Sequence, residues 1–146
     1  MTKENLDPNW LGGESEDDEI YKENILDHFK NPHNFGNLKE YTIKQRKNNP
    51  LCGDVVEIYA KLEDNKIVEV KFAGNGCAIS MAASSMLTDF IKGKSLEEIK
   101  NLSGKDVLKL LNIRLGVVRM KCGMLCLNAI LEGVHNLEEK NESAES

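Results

Sequence analysis

The hydrophobic period of this chain changes near residue 76, and that change limits the fold more than any other feature. Before it, apolar residues alternate with polar ones over 56–62 and again over 68–72, a pattern typical of half-buried strands. Asp64 and Asn65 between these stretches predict a hairpin turn. After it, apolar residues recur at intervals of three and four up to Ile91, which predicts a long central helix. We therefore predict an α+β fold, in which a small antiparallel sheet packs against several helices.

The remaining predicted elements each have a local signal. Apolar residues at helical spacing, followed by a proline, indicate a first helix. Serines that precede an acidic residue by three positions indicate the N-terminal caps of two short helices. In chain order these elements are a helix over 21–29, a weak strand over 41–46 that brings the sheet to about three strands, short helices capped by Ser95 with Glu98 and by Ser103 with Asp106, and a last helix over 121–137.

Both ends of the 146-residue chain are polar, and the length suits one domain. Residues 1–19 are acidic and residues 138–146 are polar, so neither segment can bury much apolar surface. We predict disordered tails over 1–19 and 138–146, with one folded domain over 20–137. The acidic start does not resemble a secretory signal, so we expect a cytoplasmic protein.

Charge and hydropathy argue against two classes of partner. The formal net charge is −5, and no basic stripe interleaved with aromatic residues offsets it locally. We therefore expect no binding to nucleic acid. The chain also lacks an unbroken apolar run near the ~20 residues that cross a bilayer, so we expect no membrane association.

Three of the four cysteines fall at junctions between predicted elements. Cys52 precedes a strand, Cys77 begins the central helix, and Cys122 begins the predicted last helix. A helix N-terminus favours the thiolate form that metals bind. Asp54 follows Cys52 by two residues, and Gly53 between them would let the backbone turn so that both side chains face one point.

These side chains form a donor set of three sulfurs and one oxygen, which suits zinc or iron with sulfide. The wide spacing of the cysteines matches no short zinc-finger pattern, and reduced cysteines are also commonly small buried hydrophobes. Residue types and spacing alone leave both interpretations open. For Cys126, which shares a helix face with Ala129 and Ile130, a core role is favoured, with a spare ligand or a resolving thiol as the alternative.

Four motifs occur in a fixed order along the chain. The first spans 21–36 and includes an Asn-Pro-x-Asn-x-Gly turn. The others are Asn-Pro-Leu-Cys-Gly-Asp at 49–54, Gly-Asn-Gly-Cys-Ala-Ile-Ser at 74–80 and Lys-Cys-Gly-Met-Leu at 121–125. Together they resemble the opening helix and the three ligand motifs of the IscU/SufU/NifU family of iron-sulfur cluster scaffolds, a likeness that covers roughly residues 20–135. Four motifs in order are far more specific than any one of them alone.

The resemblance implies a ligand set and a function. Cys52, Asp54, Cys77 and Cys122 would hold a [2Fe-2S] cluster or, in its absence, a zinc ion. Sulfur would arrive as a persulfide from a cysteine desulfurase, with Cys52 and Cys122 as candidate acceptors. Iron (Fe) would join it, and the cluster would pass to apo-acceptor iron-sulfur proteins. An oxygen ligand matches iron-sulfide less well than a fourth sulfur, so the cluster can leave. The chain would then be a scaffold rather than an enzyme, and a homodimer is left open.

Departures from the family pattern point to a second function. Lys121 stands where the IscU branch has a histidine, as in the SufU branch, yet the SufU insertion between the second and third cysteines is missing. Residues 115–119 also lack the Leu-Pro-Pro-Val-Lys segment through which IscU proteins engage a dedicated chaperone. The alternative is therefore a SufU-like zinc-dependent sulfur acceptor that activates a cysteine desulfurase. Cys126 replaces a small apolar residue of the family, which leaves open a cluster that uses Cys126 instead of Asp54.

The histidines are expected to have structural roles or to be exposed. His28 and His33 fall in the first helix and the turn after it, and His135 falls late on the last helix, where we expect it to be exposed. Lys121 either steers a persulfide or an acidic partner, or is simply solvated. A thiol oxidoreductase that uses Cys122 and Cys126 is a third function, and it would require an exposed pair of thiols.

Overall fold

The computed structural model describes residues 23–50 and 53–145, so the predicted tail over 1–19 and the side chain of Cys52 lie outside the description. Within these ranges, no helix combines the length and the apolar composition needed to cross a bilayer. In chain order the elements are α1 (Glu23–Lys30), β1 (Ile43–Asn49), β2 (Asp54–Glu63), β3 (Lys66–Asn75), α2 (Ala78–Ile91), α3 (Leu96–Lys100), α4 (Gly104–Leu111), α5 (Val117–Gly123) and α6 (Leu125–Glu145).

The three strands form one antiparallel sheet in the order β1-β2-β3, which confirms the predicted α+β fold. The hairpin between β2 and β3 turns at Asp64 and Asn65, whose φ angles are 53° and 62°. Two consecutive left-handed residues are the mark of a tight hairpin turn that matches the twist of its strands. The turn predicted from these residues is therefore confirmed, and β1 fulfils the prediction of a strand near 41–46 with slightly later bounds.

A bulge interrupts the pairing of β2 with β3. The register shifts between Lys61 and Leu62, and Val68 is the extra residue on β3. An extra residue reverses the alternation of side chains between the two faces of a sheet. Ile67 is therefore buried while Val68 is 44% exposed, so the inward alternation predicted over 68–72 is wrong at Val68.

Helix α2 lies at the centre of the molecule and contacts α1, α4, α5, α6 and β3. The long central helix predicted after residue 76 is confirmed. It is buried on more than its predicted apolar stripe, because four hydroxyl side chains are buried along with the apolar ones. Each buried hydroxyl needs a hydrogen-bond partner. These four residues are Ser80, Ser84, Ser85 and Thr88.

Both predicted helix caps form. At α3, Ser95 Oγ accepts from the Glu98 N–H at 3.2 Å, and Glu98 Oε1 accepts from the Ser95 N–H at 3.1 Å. At α4, the Ser103 N–H donates to Asp106 Oδ2 at 2.8 Å. Each acidic side chain thus satisfies a backbone donor that the helix itself leaves unpaired.

The C-terminal helical region differs from the prediction at both ends. A separate helix, α5, precedes α6, so Cys122 lies in the last turn of α5 and not at the start of a helix. At the other end, α6 continues past Leu137 to Glu145, through most of the segment whose composition predicted a disordered tail. Lys100 on α3 pairs with Glu138 at 2.8 Å, a tertiary contact at the start of this extension that composition does not reveal.

Candidate metal centre

Three potential ligands converge where β2, α2 and α5 meet. Asp54, Cys77 and Cys122 each offer one ligand atom, and these atoms all lie within 4.8 Å of one another. Asp54 is the first residue of β2, Cys77 immediately precedes α2, and Cys122 lies near the end of α5. Asp54 and Cys122 are buried and Cys77 is half-buried, so Cys77 is the most accessible of the three.

The loop between β1 and β2 presents Asp54. Asn49 pairs with Asp54 across the end of the hairpin, and the Gly53 N–H donates to the Asn49 carbonyl at 2.8 Å. Gly53 has a φ of 75°, a left-handed conformation that favours glycine. The turn predicted at Gly53 is thus present. Cys52 precedes Asp54 by two positions in the sequence but lies outside the described residues, so its role as a ligand stays a prediction.

Cys77 occupies the N-cap position of α2, as predicted. Its side chain makes no capping hydrogen bond, so the sulfur is not used to satisfy the helix. The preceding Gly76 is tightly enclosed, because a Cβ atom built on it would lie 2.9 Å from Ser80 Oγ and 3.1 Å from Asp54 Cγ. The absence of a side chain at Gly76 therefore allows Asp54 to lie this close to the start of α2.

The predicted position of Cys122 at a helix N-terminus is wrong, because α5 begins five residues earlier, at Val117. The N-terminus of its own helix therefore does not lie at this sulfur. Instead, the buried side chain of Asn49 donates from Nδ2 to Cys122 Sγ at 3.9 Å. A donor in this position favours negative charge on the sulfur. Lys121, the neighbour of Cys122, is exposed.

The buried carboxylate of Asp54 provides a test of whether a metal fits. Asp54 is 6% exposed, and its Oδ2 atom has no hydrogen-bond partner among the described residues. An unpaired buried polar atom costs about 1–3 kcal/mol, and more when it is charged. A cation bound to either oxygen of this carboxylate would compensate its buried charge. Two sulfurs and one oxygen, before any contribution from Cys52, suit zinc or iron.

Cys126 lies in the hydrophobic core, and it is not part of the converging group. Its residue exposure is 1%. Burial raises the pKa of the Cys126 thiol to about 12, and a hydrogen bond with Ser84 only partly opposes this effect. Because metals bind the thiolate, the environment disfavours Cys126 as a ligand. The structure thus favours the predicted core role over a spare ligand or a resolving thiol.

Two histidines fasten the first helix and the turn after it to α2. His28 Nδ1 and the His33 N–H both bond to Ser85 Oγ at 2.7 Å. His33 Nδ1 also pairs with Asp89. His135 is exposed, as predicted. The predicted structural roles of His28 and His33 are confirmed.

Two polar residues at the candidate centre were not singled out from the sequence. Asn49 contacts Cys122, and Ser80 has a buried hydroxyl without a partner among the described residues. Asn49 lies in the motif at 49–54 and Ser80 in the motif at 74–80. Their closeness in sequence to a potential ligand is the one sequence feature that could have identified them. These side chains matter to the site because they are buried beside the ligands, and their burial results from the packing of elements that are distant in sequence.

Comparison with known proteins identifies relatives of this arrangement. The chain matches the family described as NifU-like N terminal domain over residues 20–144. The iron-sulfur cluster assembly scaffold protein IscU 1 of Archaeoglobus fulgidus is 35% identical over 122 residues, which cover 84% of this chain and 79% of that protein. The zinc-dependent sulfurtransferase SufU of Bacillus subtilis is 36% identical over 141 residues, which cover 85% of this chain and 95% of that protein.

Solved structures share the fold. The N-terminal part of a NifU-like protein from Brucella abortus superposes with a TM-score of 0.70 at 21% identity, and the match covers 84% of this chain and 97% of that one. The SUF-system protein FiSufU from Fervidobacterium islandicum superposes with a TM-score of 0.65 at 26% identity, covering 79% and 96%. The first likeness concerns the fold alone. Because the domain match spans most of the sequence and the curated relatives exceed 30% identity, the chain belongs to the NifU-like N-terminal domain family.

Proposed function

We propose that this chain is an iron-sulfur cluster assembly scaffold that binds a [2Fe-2S] cluster as its cargo and holds zinc in its resting form. The observation that carries the proposal is the convergence of ligand atoms from Asp54, Cys77 and Cys122 within 4.8 Å. Cys52, two residues before Asp54, would complete the set. Relatives that are named scaffold proteins support this assignment. One of them is 35% identical over 84% of this chain.

The donor types suit temporary binding. Thiolates are soft ligands that match iron-sulfide well, whereas a carboxylate oxygen is a poorer match. Asp54 is therefore the ligand that the thiolate of an acceptor protein replaces most easily. The half-burial of Cys77, beside two buried ligands, leaves one side of the site partly accessible for that exchange.

Sulfur would enter from a cysteine desulfurase, with Cys52 and Cys122 as candidate acceptors. The acceptor thiolate attacks the outer sulfur of the persulfide on the enzyme, a new S–S bond forms on this chain, and the thiolate of the desulfurase leaves. Reduction to sulfide then requires electrons from a donor outside this chain. Cys122 is 5% exposed, so transfer to it requires a local opening of the site. The proposal places these reactions in the cytoplasm, without nucleic acid or membrane as a partner.

A second candidate function is that of a SufU-like zinc-dependent sulfur acceptor that activates its desulfurase. The lysine at position 121 and the 36% identity to the Bacillus subtilis sulfurtransferase favour it. The short separation between the second and third cysteines, without the SufU insertion, favours the scaffold. The two functions differ in whether the metal site exchanges its zinc for a transferable cluster.

Anaerobic reconstitution with iron, cysteine and a desulfurase distinguishes these functions. For a scaffold, we expect a stable visible chromophore, and its transfer to an apo-ferredoxin restores the spectrum of that acceptor. Persistent zinc, no chromophore and an increased turnover of the desulfurase would instead establish the sulfur-acceptor function. The Cys77→Ala variant is the matched control, because it removes one ligand and should support neither outcome.

A further inference from the structure

Two buried polar atoms near the metal centre are complementary and unpaired. Among the described residues, Asp54 Oδ2 and Ser80 Oγ are the buried side-chain atoms without a hydrogen-bond partner. A serine hydroxyl can donate, and an ionised carboxylate can only accept. Both groups border the same point beside Gly76, where a built Cβ atom would lie 2.9 Å from Ser80 Oγ and 3.1 Å from Asp54 Cγ.

The other buried hydroxyls of α2 show what a purely structural role looks like. Ser84 Oγ donates to the Ser80 carbonyl at 2.9 Å, and Thr88 Oγ1 donates to the Ser84 carbonyl at 2.8 Å. Ser85 Oγ bonds with His28 and with the His33 N–H. Ser80 is 1% exposed and has no such partner within the described part of the chain, so its hydroxyl does not serve the helix.

We propose that Ser80 is a positioning residue, whose hydroxyl donates a hydrogen bond to the Asp54 carboxylate oxygen that does not bind the metal. This inference rests on the proposed function, since it requires a metal held by Asp54. When one carboxylate oxygen binds a cation, the other remains buried and acceptor-only, and ligating carboxylates are generally oriented by a donor of this kind. Ser80, three residues after Cys77, supplies that donor from the same helix that carries a sulfur ligand.

The proposal gives Ser80→Ala two effects of opposite sign. In the metal-free protein, the substitution removes a buried hydroxyl that has no partner, so the stability is unchanged or increased. In the zinc-loaded protein, it removes the donor that orients Asp54, so zinc dissociates about tenfold faster. Removing a hydrogen-bond partner of a metal ligand typically lowers metal affinity about 10–100-fold, and we expect the low end of that range. A merely structural serine would lower the stability of the metal-free protein and leave zinc dissociation unchanged.

Zinc transfer from the loaded full chain to a chromogenic chelator measures the dissociation rate, and urea unfolding of the metal-free chain measures stability. Ser84→Ala is the matched control, because it removes the neighbouring buried serine hydroxyl one turn further along α2; its zinc dissociation should stay within about twofold of the unsubstituted chain. The Asp54→Ala background supplies the second test. There, Ser80→Ala should cause no further acceleration, because the carboxylate on which it acts is gone.

Equal zinc dissociation in Ser80→Ala and the unsubstituted chain would overturn the role of Ser80 while leaving the scaffold function intact. A tenfold acceleration that persists in the Asp54→Ala background would also overturn it, since the effect would not act through Asp54. If the Ser80→Ala acceleration depends on Asp54 but no cluster can be assembled or transferred, the inference stands and the scaffold function fails. A full chain that binds no zinc at all would refute both.

Discussion

The two ends of α2 contain similar polar side chains, but these side chains differ in whether they have hydrogen-bond partners. In the C-terminal half, Ser85 bonds with both His28 and His33, and Asp89 pairs with His33. At the N-terminal end, Ser80 has no partner among the described residues, and neither does the Oδ2 atom of Asp54 beside it. A buried polar group that is fully paired contributes to folding, whereas an unpaired one is tolerated where a ligand will pair it. The hydrogen bonds of α2 thus distinguish two ends. The structural end holds Ser85 and Asp89, and the binding end holds Ser80 beside the candidate metal centre.

Replacement of Cys77 tests the binding end most severely. We expect Cys77→Ala to abolish stoichiometric zinc binding, because it removes the sulfur that the N-terminus of α2 contributes to the group. Cys126→Ala is the control, since that thiol lies in the core and should leave the metal content near one ion per chain. Elemental analysis of protein purified without oxygen measures both. Equal loss of metal in the two variants would make Cys126 a ligand and break the comparison.

Asp54→Ala should slow cluster release several-fold without abolishing assembly. The carboxylate is the ligand that an acceptor thiolate displaces most easily, so its removal takes away the favoured exchange step. The measurement is the rate at which a preassembled cluster moves to an apo-ferredoxin, followed by visible absorption. Faster loss of the cluster from the variant would contradict this interpretation of the oxygen ligand.

Ser85→Ala tests the structural end. The substitution leaves the His33 N–H and His28 Nδ1 without the hydroxyl that each contacts at 2.7 Å. We expect the free energy of unfolding to fall by about 1–3 kcal/mol, because two hydrogen bonds that each contribute about 0.5–1.5 kcal/mol are lost. Zinc content should not change, because the side chain lies two turns along α2 from the ligands. Urea unfolding together with metal analysis checks this, and a loss of zinc in a stably folded variant would mean that the two ends are coupled.

Acidification should weaken the structural end by a smaller amount. Burial lowers the pKa of His28 from 6.5, and the nearby His33 adds to this effect, while Asp89 and Asp27 oppose it. The unfolded chain therefore takes up the proton first, so the stability contributed by neutral His28 is present above pH 6.5 and is lost as the pH falls through the folded value. One such group can contribute a slope of at most about 1.4 kcal/mol per pH unit.

The charged state of Asp89 should not change in that interval. Burial raises the pKa of Asp89, but hydrogen bonds from His33 and Asn34 outweigh it, and the net shift is downward from 3.8. Urea unfolding between pH 5 and 7 therefore isolates the histidine contribution. His28→Gln should flatten the slope in this range, and a slope unaffected by the substitution would assign the pH dependence to another group.

Elements with local signals were predicted well from the sequence, and features that depend on distant contacts were not. The turn at Asp64 and the cap at Ser95 follow from residues within a few positions of each other. The outward position of Val68 follows from its pairing with another strand, and the extension of α6 contacts α3 through Glu138. Local sequence carries no trace of either contact.

The candidate site divides in the same way. Motif resemblance brought out Asp54, Cys77 and Cys122, and the structure places their ligand atoms together. The position of Cys122 within a helix is mispredicted because α5 begins after Gly116, an N-cap that makes no side-chain capping hydrogen bond and gives a weaker start signal than serine or aspartate. The role proposed for Ser80 rests on a missing hydrogen bond, which only three-dimensional packing can reveal.

The enclosure of Gly76 has a consequence for mutational surveys of this family. Gly76 has no side-chain atom that could bind a metal, yet even a methyl group there would collide with Ser80 and approach the Asp54 carboxylate. A survey that scores growth under demand for iron-sulfur enzymes should therefore rank position 76 with the cysteines in its intolerance to change. A list of essential positions that includes only residues with metal-binding side chains would omit Gly76.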